Sequence, residues 1–404
     1  MKYFTATCPL ISVSMAEHGL HLGIDAINIR QGGGLTHLSQ LLQAADPYVK
    51  GFDAVTIWSN RVPLDALPNR PWLIKRSAPW MDASLPRRLL GQQFQLINEL
   101  LTNGCDVLFS PGGTLPQGCR LPMVTMSQNM LPFEPLEAAR FGRASLMRLK
   151  MRVLRYSQGR SFQCADGLIF LTRYAENVVS RALGGLTCST ALVPHGIEAR
   201  FLQAPRPQRP LEGFSSEQPF RVLYVSTLMP YKHQVAVVKA AADLRAQGMP
   251  IEMRFVGASW GNYGVEFKHL IESLDPRGEF LIWTGHEPFE CLHRMYRESD
   301  AFVFASSCEN LPNILIEAMA SGLPIACSDR GPMPEVLGDA GLYFNPESYS
   351  SIASALQALA GDLYLRAHLA EQAWRKAQAY SWERCANDTF KFIAHVARRN
   401  AGAN

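Results

Sequence analysis

The chain has 404 residues, which is enough for two or three domains with separate hydrophobic cores. Charged residues make up 18% and hydrophobic residues 47%, and a formal net charge of +4 is too small to indicate a nucleic acid as partner. The nine cysteines are an odd number without a C-x-x-C pair, which argues against a disulfide framework and a zinc site. No apolar run reaches the ~18 residues that a membrane span needs.

Residues 1–22 are predicted to be an N-terminal extension. Pro9 interrupts the apolar part and no small-residue cleavage pattern follows, so the segment is only weakly typical of a signal peptide. Translation could start at Met1 or at Met15, and the sequence leaves this open. The scattered cysteines and the missing membrane span favour a cytoplasmic protein.

A first domain is predicted over residues 23–198. Its first strand is expected at Gly23–Arg30, and a glycine run that includes Gly33 and Gly34 leads into a helix from about Thr36 to the residue before Pro47. A strand, a glycine run and a helix in this order are typical of phosphate sites, because only glycine lets backbone N–H groups come so close to a ligand.

Further short apolar runs alternate with helical stretches, which predicts a parallel sheet with helices on both faces. Ligands of such sheets bind beyond the carboxyl ends of the strands. Two loops at such ends are candidate acceptor contacts, through Gly112 and Gly113 and through Gln128 and Asn129. The alternatives are an ordinary glycine turn and a proline-terminated loop. The runs are Ala54–Trp58, Trp72–Lys75, Asp106–Phe109, Met123–Met126 and Leu168–Leu171.

The stretch from Ala138 to Ala165 contains seven cations and no acid. Apolar residues fall at helical spacing within it, so a basic amphipathic helix is predicted. It could contact an anionic membrane surface or a lipid-diphosphate acceptor. The alternative is a solvated arginine-rich face that packs on its own domain.

Residues 199–219 contain several prolines and are predicted to be a linker. A second domain follows over residues 220–380, and residues 381–404 form a final helix. The predicted strands of the second domain are Phe220–Ser226, Glu252–Gly257, Glu279–Trp283, Ala301–Phe304, Pro324–Cys327 and Gly341–Phe344.

The helix between the predicted strands Ala301–Phe304 and Pro324–Cys327 is expected to start near Pro312. It is expected to end about three turns later, at Gly322. It is apolar on every side except for Glu317, which indicates a buried helix. A buried carboxylate needs a partner, so Glu317 either pairs inside the protein or binds a hydroxyl-bearing ligand. Glu309 lies eight positions earlier, and the helix start between the two acids is suited to phosphate.

An acid, a phosphate site and a second acid in this order suit a sugar nucleotide. Glu309 would contact the sugar, the helix start would bind the diphosphate, and Glu317, about 8 Å further along the helix axis, would contact the ribose. The alternative is a capping acid with a structural ion pair. This segment resembles the E-x7-E signature of retaining glycosyltransferases of family four. The likeness extends over Asn310, Leu311, Pro312 and Asn313, the run Glu-Ala-Met-Ala-Ser-Gly-Leu-Pro, Gly331-x-x-x-Glu335, and Gly341 to Pro346.

The resemblance implies an α/β protein of GT-B architecture, in which two Rossmann-like doubly wound domains face a cleft and the C-terminal helix crosses back to the first domain. It places Gly33, Gly34, Lys232, Glu309 and Glu317 at the donor, together with Asn310, Leu311 and Asn313. Two departures from the family pattern concern the predicted site residues. Gln128 and Asn129 stand where the family often has a sugar-contacting histidine, and Thr227 replaces an arginine that acts with Lys232 on the diphosphate.

The expected function is transfer of a hexose from a nucleoside-diphosphate sugar to a hydroxyl of a glycan or lipid-linked acceptor, with retention at the anomeric carbon. Lys232 and Glu309 are the predicted catalytic residues. No D-x-D motif occurs, so neither a metal nor another cofactor is expected to be required. The resemblance suggests bacterial surface-polysaccharide assembly with a mannosyl-type donor. A sugar-nucleotide epimerase and a non-catalytic sugar-binding protein are the alternatives.

Overall fold

The computed structural model describes residues 19–401 except 31, 143, 144 and 260. Within these residues the first domain contains a parallel sheet of seven strands, each of them short and most of them buried. The strands are β1 (Leu20–Asp25), β2 (Phe52–Trp58), β3 (Leu73–Arg76), β4 (Val107–Ser110), β5 (Met123–Met126), β6 (Gly167–Phe170) and β7 (Ser189–Leu192). Their order in the sheet is β3-β2-β1-β4-β5-β6-β7.

The described part of the second domain contains a six-stranded parallel sheet. Its strands are β8 (Phe220–Val225), β9 (Ile251–Val256), β10 (Leu281–Trp283), β11 (Ala301–Phe304), β12 (Ile325–Ser328) and β13 (Leu342–Phe344). The order is β10-β9-β8-β11-β12-β13. In each sheet the first strand lies near the middle, the next two strands are added on one side of it, and the remaining strands are added on the other side. Reversal of strand order opens a crevice at the carboxyl ends of the strands in both sheets.

Helices cover both faces of the sheets, as expected for parallel strands that are buried on two sides. In the first domain they are α1 (Gly33–Ala44), α2 (Arg61–Asp65), α3 (Leu85–Thr102), α4 (Pro135–Ala139), α5 (Leu146–Cys164) and α6 (Arg173–Leu183). In the second they are α7 (Gln234–Ala246), α8 (Tyr263–Leu274), α9 (Phe289–Glu298), α10 (Asn313–Ala320), α11 (Met333–Leu337), α12 (Tyr349–Gly361) and α13 (Leu363–Ala377), followed by α14 (Trp382–Ala401).

The C-terminal helix α14 leaves the second domain and packs against α1, β4, β5 and β6 of the first. Arg398 donates to the carbonyl oxygen of Lys50 at 3.2 Å, and Arg399 donates to the Ser189 hydroxyl at 2.8 Å. The crossing point is tight at Gly196, because a Cβ there would lie 2.1 Å from the backbone nitrogen of Trp382. Two doubly wound domains with a crossing C-terminal helix are the predicted GT-B architecture, which is therefore confirmed.

Three predicted boundaries are wrong. The first strand ends at Asp25 and not at Arg30, because the buried Asp25 carboxylate accepts the Ile27 N–H and turns the chain. The strand starts at Leu20, inside the predicted extension, whose residues 1–18 lie outside the described part. The predicted helix start near Thr36 is also late, since α1 begins at Gly33.

Other differences concern the helices and one strand. Helix α10 has eight residues, about two turns and not three, and Pro312 precedes it. The basic stretch begins in the last two residues of α4, and its helix, α5, starts only at Leu146. Strand β7 was missed because it is a four-residue edge strand with alternating burial and no apolar run.

Candidate active site

A cleft of about 340 Å³ lies between the domains at the carboxyl ends of β8 and β9, facing the start of α1. This is the position at which doubly wound sheets bind their ligands. Gly257, whose φ is 143°, lets the loops after β8 and β9 approach closely, since a Cβ there would lie 2.1 Å from the Ser226 carbonyl oxygen. The lining residues are Gly32, Gly33, Thr36, His37, His195, Val225, Ser226, Thr227, Val256, Gly257, Ala258, His286, Glu287, Phe289, Leu292, Asn313, Ile314, Glu317 and Trp382.

The glycine run forms the start of α1 at the wall of this cleft. Gly32 has a φ of 72°, which favours glycine, and Gly33 is the first helical residue. A Cβ at either position would meet no protein atom within 4 Å. The first free N–H groups of α1 therefore face space that an anionic ligand could fill. Gly34 is not among the lining residues, and a Cβ there would contact Gln128.

Glu317 lies on the opposite wall, in the middle of α10, where its neighbours along the helix are buried. The Tyr296 hydroxyl donates to its Oε2 at 3.0 Å, and burial raises the pKa of Glu317 to about 8, with the nearby Glu198 acting in the same direction. Burial therefore favours the protonated form of this carboxyl group. No ion pair to Glu317 exists among the described residues, so the structural ion pair considered as its alternative role is absent.

Lys232 and Glu309 form an ion pair beyond the carboxyl ends of the two central strands of the second sheet. Lys232 lies in the segment after β8, and Glu309 lies in the loop after β11. The Lys232 ammonium also lies 5.3 Å from the Tyr231 ring centroid and 5.6 Å from that of Phe304. The cleft lining given above does not include either charged residue. Thr227, at the position where the family pattern has arginine, does line it.

The residues just before α10 and at its start lie in different environments. Asn310 is buried, and its amide donates to the Ser127 carbonyl oxygen of the first domain at 2.8 Å. Leu311 is buried in the core. Asn313 lies in the cleft, 3.3 Å from Nδ1 of His195. Of the predicted donor residues, the structure therefore brings Gly33, Asn313 and Glu317 together in the cleft.

The four predicted acceptor-side residues do not form one group. Asn129 is exposed, and its side-chain oxygen accepts the Leu131 N–H at 3.1 Å, which is a local turn contact. Gly113 has a φ of 79° and packs near Gln158, whereas a Cβ at Gly112 would meet open space. Gln128 reaches towards the cleft and contacts Nδ1 of His37 at 3.2 Å.

Sequence reasoning missed a stack of aromatic rings at the cleft. The rings of His37 and His195 stack with centroids 4.4 Å apart and planes inclined by 26°, and Trp382 at the start of α14 stacks on His195 at 5.6 Å. Burial lowers the pKa of both histidines, that of His195 to about 4, so both rings are neutral at pH 7. The spacing of His37 four residues after Gly33, one helical turn, is the signal that could have identified it.

Several contacts between the domains hold the cleft in the observed geometry. The Glu335 carboxylate of α11 accepts the backbone N–H groups of Arg173 and Tyr174, at 2.7 and 2.8 Å, at the start of α6. A carboxylate at a helix start is favourable because it meets free N–H groups and the positive end of the helix dipole. An ion pair between Arg140 and Glu347 is a second bridge, and it removes Arg140 from the predicted free basic face.

No group of three or more His, Cys, Asp or Glu side chains within the described residues is placed to hold a metal ion. The cysteines of this part of the chain are all free thiols. None of the described helices is long and apolar enough to cross a membrane.

The two facing Rossmann-like domains, with the cleft between them and the helix that crosses back, define a GT-B fold, which is one of the folds of glycosyltransferases. Residues 209–376 match the family described as "Glycosyl transferases group 1". The match covers most of the second domain and less than half of the chain.

Curated relatives align over the same part of the chain. O-antigen chain mannosyltransferase B of Escherichia coli is 31% identical over 172 residues, which are 41% of this chain and 44% of that protein. A D-inositol 3-phosphate glycosyltransferase of Rhodococcus erythropolis is 31% identical over 173 residues, 41% of this chain and 39% of that protein. The chain therefore matches less than half the length of these relatives.

Solved structures align over nearly the whole chain. Sucrose-phosphate synthase from Thermosynechococcus elongatus superposes with a TM-score of 0.73 at 18% identity, covering 95% of this chain and 100% of the other. WaaG, a glycosyltransferase involved in lipopolysaccharide biosynthesis, gives 0.68 at 15% identity, with 93% and 99% covered. Anabaena HepE, solved in complex with UDP-glucose, gives 0.66 at 16% identity, with 95% and 100% covered. At these identities the likeness establishes the fold.

Proposed function

We propose that this protein is a retaining glycosyltransferase that moves a hexose from a nucleoside-diphosphate sugar to a hydroxyl of a glycan or lipid-linked acceptor. The observation that carries the proposal is the placement of Gly33, at the start of α1, and the buried Glu317 on opposite walls of one cleft, where burial raises the pKa of Glu317. The helix start suits a diphosphate, and a neutral carboxyl group can both donate to and accept from ribose hydroxyls.

We assign the roles of Lys232 and Glu309 from the family pattern. Lys232 would leave Glu309 to meet the charge on the departing diphosphate, and Glu309 would then position the transferred sugar. No metal is assigned to the reaction. The mannosyl-type donor, the O-antigen or exopolysaccharide acceptor and the retained anomeric configuration are supported by the family match over the second domain and by the E-x7-E spacing.

The first domain would face an anionic membrane, on the cytoplasmic side, through α5 and α3. Exposed apolar residues on both helices support this, namely Leu146, Leu149, Val153 and Tyr156 on α5 and Leu85, Leu89, Leu90 and Phe94 on α3. Gln117 bonds to Gln93 of α3 and to Arg160 of α5, so the two helices lie on the same side of the first sheet. A lipid-linked acceptor would reach the cleft from this side.

An epimerase acting on a nucleotide sugar is the second candidate. The sequence around Gln128 contains no histidine that could act on the sugar, but the structure places His37 beside Gln128. An acid or base for epimerisation is therefore available in the cleft.

The test is a thermal-shift screen of nucleoside diphosphates and their sugars, followed by product analysis. A ligand at a hundred times its dissociation constant stabilises the fold by about 2.7 kcal/mol, which gives a clear shift. A transferase slowly hydrolyses its donor to nucleoside diphosphate and free sugar, and the linkage formed on an acceptor keeps the donor's anomeric configuration by NMR. An epimerase returns an intact donor with a changed sugar. Binding without turnover would leave a sugar-binding protein.

A further inference from the structure

His37 is hydrogen-bonded in a way that fixes where its proton lies. The side-chain nitrogen of Gln128 is 3.2 Å from Nδ1 of His37 and 3.0 Å from the Met126 sulfur. A thioether sulfur can only accept, so the amide group of Gln128 presents its NH2 side to both neighbours. Nδ1 of His37 therefore accepts, and the neutral ring carries its proton on Nε2.

The Nε2–H of His37 has no hydrogen-bond partner among the described residues, although the side chain is only 1% exposed. His37 lines the cleft one turn below the glycine start of α1, and the ring of His195 holds it in place from one side. A buried donor without an acceptor is unfavourable. It becomes favourable when a ligand oxygen occupies the cleft.

We propose that His37 donates from Nε2 to a phosphate oxygen of the bound nucleoside diphosphate, and that Gln128 is the positioning residue that sets the required tautomer. This inference rests on the proposed function. The described cleft lining contains no lysine or arginine, and Thr227 stands where the family pattern has an arginine. The phosphate groups then meet the N–H groups of the α1 start and the imidazole N–H one turn further on. His37 thus supplies part of the contact that Thr227 cannot.

The proposal predicts different results for two substitutions of the same residue. In His37→Gln the amide NH2 can reach the place of Nε2, whereas in His37→Asn the shorter side chain reaches only the place of Nδ1. Binding of UDP, GDP, ADP and dTDP, and of the matching nucleosides, is measured by calorimetry on the full chain. His37→Asn should weaken the best nucleoside diphosphate about tenfold and leave its nucleoside unchanged, and His37→Gln should restore most of the loss. His269→Asn on the exposed face of α8 is the control.

Nitrogen-15 NMR of histidine-labelled parent protein tests the tautomer without any substitution. The expected spectrum has His37 neutral with its proton on Nε2, and this signal moves when the diphosphate is added. A proton on Nδ1 overturns the proposal, as does an equal loss of nucleoside and nucleoside diphosphate in His37→Asn, which indicates a purely structural ring. Loss of turnover with unchanged diphosphate affinity would move the contact to the sugar and also overturns it. A parent protein that binds no nucleoside diphosphate overturns the proposed function itself.

Discussion

The Lys232 ammonium group and the Glu309 carboxylate form an ion pair outside the described cleft lining, and both side chains are largely buried. Lys232 must change partner before it can meet a departing diphosphate. Its charge then matters more in the transition state than in the ground state, because charge on the leaving group grows during the reaction.

We expect Lys232→Ala to lower kcat about a hundredfold, which corresponds to roughly 2.7 kcal/mol for the loss of one stabilising contact to the developing charge. The donor KM should change much less. Steady-state kinetics with a saturating acceptor measures both constants, and thermal unfolding verifies that the variant is folded. Lys239→Ala, at an exposed position of α7, is the matched control. Turnover within about twofold of the parent would place the leaving group elsewhere.

Glu317→Gln should act on donor binding. The protonated carboxyl group of Glu317 and an amide have similar size, and the amide oxygen can still accept from the Tyr296 hydroxyl. We expect the donor KM to rise by about tenfold or less, with kcat nearly unchanged, because ribose contacts are equal in the ground and transition states. Glu272→Gln on the surface of α8 should change neither constant. A fall in kcat at constant KM would contradict a ribose contact.

The raised pKa of Glu317 also predicts a pH dependence of stability. Burial holds its pKa at about 8, against an ordinary value of 4.5, so between these pH values the folded protein keeps a proton that the unfolded chain has lost. The stabilisation is complete below pH 4.5 and is lost as the pH rises towards 8 and above, with a slope of about 1.4 kcal/mol per pH unit for one proton.

Urea unfolding of the parent and of Glu317→Gln over pH 5 to 9 measures this effect. The free energy of unfolding of the parent should fall relative to that of the variant as the pH rises. Asp25 and Glu134 also have raised pKa values, of about 6 and 7. Both groups are present in the parent and in the variant, so their effects cancel in the difference between the two free energies of unfolding. A difference that does not vary with pH would mean that Glu317 is ionised in the folded protein at neutral pH.

The sequence predicts the fold well because apolar runs that alternate with helical stretches have few solutions. β5 (Met123–Met126) and β11 (Ala301–Phe304) are found where predicted, since each is an apolar run buried on both faces. The buried position of Glu317 could also be predicted, from the apolar residues on every side of its helix. These features depend on local pattern and burial alone.

The parts of the site that depend on contacts across the chain could not be predicted. The spacing of Glu309 and Glu317 was sufficient to suggest a nucleotide site, but the ion pair between Glu309 and Lys232 joins residues 77 positions apart. The stack of His37, His195 and Trp382 joins α1, a loop and α14, which no sequence spacing connects. The sequence left the sugar contact at Gln128 open, and no local pattern shows that the His37 ring from another helix lies beside it.

The basic face of α5 gives the last prediction. Arg148, Arg152 and Arg155 take part in none of the ion pairs found in the described structure, and they lie among exposed apolar residues of the same helix. Each cation near an anionic surface contributes about 1 kcal/mol to membrane binding. Replacing all three by glutamate should therefore abolish sedimentation with phosphatidylglycerol vesicles, while affinity for the nucleoside diphosphate stays at the parent value because α5 lies outside the cleft lining. The same charge change at Arg277, Arg294 and Arg297 of the second domain is the control. Vesicle binding that is unchanged by the α5 substitutions would show that this helix only packs on its own domain and that its arginines are exposed to solvent without contacting a membrane.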